Sequence, residues 1–238
     1  MSSLLRPARS GQPARRRGAG LGFETFSSIF AFVYTFLAVN VSLAVTNAPL
    51  VFFLYAVVEP AASWPFFLAL SVTVLPSLGG AFAAFADLRG EESVDRPFAA
   101  FFRGYRAAFR RAALAGLAAV VVLFVLGVDL ALVAGQPAGV LLAPLAVLGI
   151  VAVVVCAVHL VAGAVLLPSA RLRDLAKAAL FISVRRWYLS AAALVLLGIV
   201  AGAALVQPVL GVALVPAPLL FIVWSNAAYA FGAELERA

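Results

Sequence analysis

With 238 residues, of which 65% are hydrophobic and only 11% charged, and a mean hydropathy of +1.12, the chain is far more apolar than soluble domains, which are roughly half apolar and about a quarter charged. That excludes a soluble globular protein and points to an integral membrane protein. The net charge of +7 sits in short segments between apolar runs, where basic residues set membrane topology, so it does not argue for a nucleic-acid partner.

Of the 17 basic residues all but Lys177 are arginine, which with the abundant alanine suits a GC-rich bacterial genome. The single cysteine, Cys156, excludes an intrachain disulfide and any CxxC redox or zinc pair.

Residues 1–22 carry Arg6, Arg9, Arg15, Arg16 and Arg17 among Ser, Gly, Pro and Ala. This is too polar to pack and reads as a disordered cytoplasmic tail. The apolar run over 27–58 outruns the h-region of a cleaved signal peptide, ~7–15 residues, and so reads as a signal anchor. It is the first of six expected spans, with a kink at Asn47-Ala48-Pro49. Asn40 and Asn47 share one face, which either packs against other helices or lines a path for a substrate.

A second span is expected over 64–85, with Trp64 at the interface and Pro76, Ser77, Gly79, Gly80 and Ala81 breaking up its inner half. The loop from Asp87 to Asp95 then leads into the segment around which the chain is organised, Asp95 to Ala112. At helical spacing Phe98, Phe101, Phe102, Tyr105 and Phe109 form an aromatic stripe opposite Arg96, Arg103, Arg106 and Arg110. This predicts an amphipathic interfacial helix before the third span, lying on the inner leaflet. Arg103, Arg106, Arg110 and Arg111 would there contact the headgroups of anionic lipids.

The third span is expected over 112–132 and the fourth over 140–167. In the fourth, Gly149, Ala152, Cys156, His159 and Gly163 share a packing face. His159 is the only histidine. A neutral imidazole hydrogen-bonded to another helix, with Asn40 and Asn47 as candidate partners, explains it better than haem or a metal, for which no further ligands are evident. A second basic segment follows, from Arg171 to Arg186, with Leu172, Leu175, Ala179 and Ile182 on one face. The fifth span, 189–206, contains Gly198 and Gly202, a weak GxxxG motif that often marks close helix contact. The sixth, 210–231, has Pro216 and Pro218 near its start.

No P-loop, dinucleotide fingerprint, nucleophile elbow or HExxH helix occurs in the sequence. Neither a cofactor nor a catalytic residue is therefore assigned, and enzyme chemistry is not expected.

The residues Leu37-Ala38-Val39-Asn40, Leu75-Pro76 with the small residues up to Ala81, and the run from Gly90 through Phe101-Phe102-Arg103, Tyr105-Arg106 and Phe109-Arg110-Arg111-Ala112 resemble the YesL-type bacterial membrane proteins of unknown function. The resemblance is specific from Val74 to Ala112. The chain departs from the pattern in a long insertion between Asn40 and Pro76, and its C-terminal half is similar in hydropathy alone. The resemblance implies a small multi-span protein encoded, in some bacteria, beside carbohydrate-uptake transporters, and it supplies no catalytic residues.

The reading is thus an all-α polytopic membrane helix bundle: a tail over 1–22, then a six-span domain over 23–238 in the bacterial inner membrane with both termini cytoplasmic. The expected function is a non-enzymatic accessory of the cell envelope. Its partners would be the bilayer, anionic inner-leaflet lipids, and a carbohydrate transporter or another membrane protein. The alternative is a small transporter or channel with a polar path near Asn40, Asn47, Ser77 and His159.

Overall fold

A computed structural model describes residues 20–90 and 96–235, with side chains from residue 29 onward except 208, 209 and 235. Most of the expected tail, and loop residues 91–95, lie outside the described residues. The described residues form helices and short turns without a strand, an all-α bundle. In order these are α1 (Gly20–Thr46), α2 (Ala48–Ala56), α3 (Trp64–Leu70), a single 3-10 turn (Ser71–Thr73), α4 (Val74–Arg89), α5 (Pro97–Val133), α6 (Gly139–Leu166), α7 (Leu172–Arg185), α8 (Trp187–Val206), α9 (Pro208–Ala213) and α10 (Pro216–Leu235).

Five stretches among the described residues are long and apolar enough to cross a bilayer: Ile29–Thr46, Trp64–Arg89, Pro97–Val133, Gly139–Leu166 and Trp187–Val206. Their outward faces carry Leu117, Val121, Leu141, Leu145, Val195 and Ile199, all exposed. Apolar surface of that extent is stable in hydrocarbon and not in water. The chain is a multi-pass membrane protein.

The expected sixth span, 210–231, is not among these five: the segment is divided into α9 and α10. Continuing α9 into α10 would need N–H donors at positions 216 and 218 to reach the carbonyls four residues back, and both positions are proline. The helix therefore stops at Ala213 and restarts at Pro216. The kink after Asn47 has the same origin in Pro49.

Three local expectations are corrected. The amphipathic helix and the third span are one continuous helix, α5, of 37 residues, about 55 Å at 1.5 Å per residue. Pro97 occupies its first turn, where its missing N–H costs nothing. The aromatic stripe divides accordingly: Phe101 is fully buried, Phe102 and Tyr105 are half-buried, and Phe98 and Phe109 stay exposed. A helix lying alone on a surface would have no such buried partner, whereas α5 has α4.

Second, the small run after Pro76 does not break the inner half of the second span; the interruption comes one turn before Pro76, whose missing N–H would have bonded the Val72 carbonyl. The irregularity lies upstream at Ser71–Thr73, and Pro76 to Phe82 are all buried inside a continuous α4. The glycines serve contact instead. A Cβ added at Gly79 would lie 2.9 Å from Ala108 Cβ, one at Gly80 would lie 3.0 Å from the Phe101 carbonyl, and one at Gly104 would collide with Ala83. Small residues thus let α4 and α5 approach closely. Third, a Cβ at Gly198 or Gly202 would meet nothing within 4 Å, so this GxxxG makes no close contact among the described residues.

The core lies where α1, α4, α5, α6 and α10 meet and includes Val39, Phe82, Phe85, Phe101, Val161 and Val223. Beside it Phe32, Phe36, Phe85, Phe221 and Trp224 pack ring against ring, with centroids 5.4 to 6.3 Å apart.

Candidate functional site

Asn47 is buried at the kink between α1 and α2. Its amide nitrogen donates to the Leu43 carbonyl at 2.9 Å, and its Oδ1 accepts the Thr73 hydroxyl at 2.9 Å. That hydroxyl also lies 3.1 Å from the Leu70 carbonyl, while Ser77 donates to the Thr73 carbonyl at 2.7 Å. Asn47 and Ser77 therefore converge on Thr73, and the break in α1–α2 is tied to the break in α3–α4. Hydroxyl and amide groups satisfy backbone that such breaks leave unpaired. This cluster consists of amides and hydroxyls and holds no titratable side chain.

Asn40 does something different. Its Oδ1 accepts the Ala217 N–H at 2.8 Å, so a side chain in the middle of α1 caps the N-terminus of α10. At the first three positions of that helix Pro216 and Pro218 have no N–H, and Ala217 is held by Asn40. A half-helix that starts inside a membrane domain usually presents free donors, suited to an anion. Here the donors of those positions are absent or taken.

His159 is buried on α6, with Nδ1 3.0 Å from the Val155 carbonyl and 3.4 Å from Ser183 Oγ on α7. The carbonyl contact assigns the ring proton to Nδ1. Ser183 donates to the Ala179 carbonyl at 2.6 Å, and Ser190 donates to the Ser183 carbonyl at 3.0 Å. The expected partners Asn40 and Asn47 are not those His159 uses: they face α10 and the 3-10 turn. The expected packing face of α6 holds only in part: Ala152 is exposed and Cys156 half-buried, while Gly149 lies against Leu126 of α5 and Gly163 against Leu175 of α7 and Phe231 of α10.

The arginines bind the ends of helices together. Arg103 pairs with Asp87 at 2.5 Å, Arg111 donates to the Pro168 carbonyl at 2.6 Å, and Arg185 and Arg186 reach Glu234 at 3.1 and 3.4 Å. The Arg89 guanidinium lies 5.2 Å from the Trp224 ring and 5.5 Å from that of Phe221. Arg106 and Arg110 are exposed. Arg186 is buried. Desolvation works against its charge, but Tyr229, whose ring lies 5.3 Å from the guanidinium, and the Glu234 carboxylate outweigh it and raise its pKa further above the ordinary value.

Of these groups Thr73, Ser183, Arg89 and Glu234 escape a sequence reading, because each gains its role from a partner far along the chain. The four candidate polar residues do not form one site: two meet at Thr73, and the other two sit apart. The described cavities lie elsewhere, one between the C-terminal end of α5 and the N-terminal end of α6 beside Asp129, one at the Gly135–Pro137 turn, and a recess of about 220 Å³ among α4, α5 and α6 beside Arg111.

No curated protein and no solved structure matches the chain. A protein family described as "Protein of unknown function, DUF624" matches residues 43–130, a segment that takes in Asn47, Thr73, Ser77 and the α4–α5 contact but neither Asn40 nor His159.

Proposed function

We infer that the protein is a non-enzymatic accessory of the bacterial cell envelope, threaded with both termini in the cytoplasm and acting through helix and lipid contacts. The observation that carries this reading is the use made of Asn40. A buried amide that holds the first free donor of α10 is committed to the fold. Asn47 and Ser77 are spent in the same manner at Thr73, and His159 at Val155. The basic segments and exposed Arg106 and Arg110 then meet anionic headgroups. The resemblance to YesL-type proteins adds a working context beside carbohydrate uptake, with a transporter or another membrane protein as neighbour.

The test is whether phenotype follows abundance. In a strain lacking the protein, Asn40→Ala and His159→Asn should reduce growth on a carbohydrate only as far as they reduce the amount of folded protein in the membrane. A variant present at normal levels, folded and yet null would replace this reading with a polar transport path.

A further inference from the structure

The recess beside Arg111 has a composition that differs from the rest of the α4–α5–α6 contact. Its walls are Ala83, Gly104, Ala107, Val165 and Pro168, and its charged lining residue is Arg111. At about 220 Å³ it exceeds the ~150 Å³ of an apolar cavity that accepts benzene, room for several methylenes but not for a whole lipid. Helices that elsewhere interlock through small residues here leave a gap, because Ala107 brings only a methyl group to it, while Gly104 beside it lies tight against Ala83. Its lining is nearly as polar as it is apolar, so an occupant with a charged end and an apolar body matches it better than water or a hydrocarbon alone.

Arg111 spends one donor on the Pro168 carbonyl, and a guanidinium has five. Arg110 is the next residue along the helix and is exposed, and no acidic residue lines the recess. We propose that this recess binds one anionic phospholipid, with its phosphate on Arg111 and the upper part of one acyl chain along Ala107, Gly104 and Val165. The proposal deepens the lipid-contact part of the function inferred above, because it requires one defined site where that reading requires only a basic surface.

Native mass spectrometry of the full-length protein in a neutral detergent tests it, with phosphatidylglycerol and phosphatidylcholine as probes. One phosphatidylglycerol should be retained per chain, with a preference over phosphatidylcholine of about tenfold, as a charge-assisted contact gives. Arg111→Gln should remove that preference. Ala107→Leu, which fills the recess without changing charge and sits at an exposed position, should lower retention of both lipids. Arg106→Gln, on the opposite side of α5, should leave it within about twofold. Glycerol 3-phosphate in excess should not displace the lipid.

Equal loss in Arg106→Gln and Arg111→Gln, or full retention in Ala107→Leu, would overturn the site and leave a diffuse basic surface, which is all the functional reading needs. Displacement by glycerol 3-phosphate would also overturn it, in favour of a soluble phosphate ligand. If Arg111→Gln does not fold, Ala107→Leu and Arg106→Gln still decide the matter between them.

Discussion

Asn40 performs from the middle of one helix a task usually left to the residue just before another. Removing a capping acceptor costs about 0.5–2 kcal/mol, and Ala217 N–H is buried with no alternative side chain on its neighbours, Pro216 and Pro218. Asn40→Ala should therefore lower the thermal unfolding temperature in detergent by an amount corresponding to about 1–2 kcal/mol. Asn47→Ala should cost a similar amount through loss of the Thr73 bond, and the pair Asn47→Ala with Thr73→Val should cost less than the sum of the singles. Additive losses in that cycle would show that the two side chains do not act together. At this scale the sequence exposes the need but not the partner. A polar side chain in an apolar run must be satisfied, yet Ala217 is 177 residues from Asn40, and nothing in local spacing connects them. Likewise His159 has a legible packing face, but Ser183 is chosen by the way α7 folds back on α6.

Between helices, the decisive contact is α4 on α5, and it separates residues that periodicity treats as equals. Phe98 and Phe101 belong to one aromatic stripe, yet Phe98 is 40% exposed and Phe101 is 0% exposed. Truncating a buried Phe costs about 3–5 kcal/mol, so Phe101→Ala should abolish stable protein or lower its unfolding temperature sharply. Phe98→Ala should stay within about 0.5 kcal/mol. Equal effects of the two would mean that the stripe lies on a surface after all. Gly104→Leu should resemble Phe101→Ala, since its side chain would have to displace Ala83. Periodicity predicts that residues 97 to 111 form a helix with an apolar side, and they do. It does not say whether lipid or protein covers that side, and both patterns look the same from within one helix. The break between α9 and α10 is more legible, because Pro216 and Pro218 remove donors by their own chemistry.

Along the whole sequence, basic residues fall only in alternate segments between the apolar runs. Arg and Lys number five in the tail, six from Arg89 to Arg111, five from Arg171 to Arg186 and one at Arg237, accounting for all 17, while the intervening turns around Glu59, Gln136 and Gln207 have none. The positive-inside rule predicts that those turns face outward. In a Cys156→Ala background, a membrane-impermeant thiol reagent added to intact cells should modify a cysteine at Gln136 and spare one at Ser169. Modification of Ser169 alone would invert the topology.

The bond between Asn47 and Thr73 also marks the base of a hairpin, and that has consequences in time as well as in space. Beyond it, α2 and α3 contain no buried residue; they hold each other by an edge-to-face contact of Phe53 and Phe66 at 5.1 Å, and Trp64 of α3 rests on Phe124 of α5 at 5.7 Å. A unit with so little burial opens at low free energy without disturbing the rest. Amide exchange in detergent should accordingly be fast over 48–70, slow over α4 from Pro76 to Phe85, and faster still over the hairpin in Thr73→Val, which cuts its tether. Uniform protection across both segments would show that the hairpin and the bundle open only together.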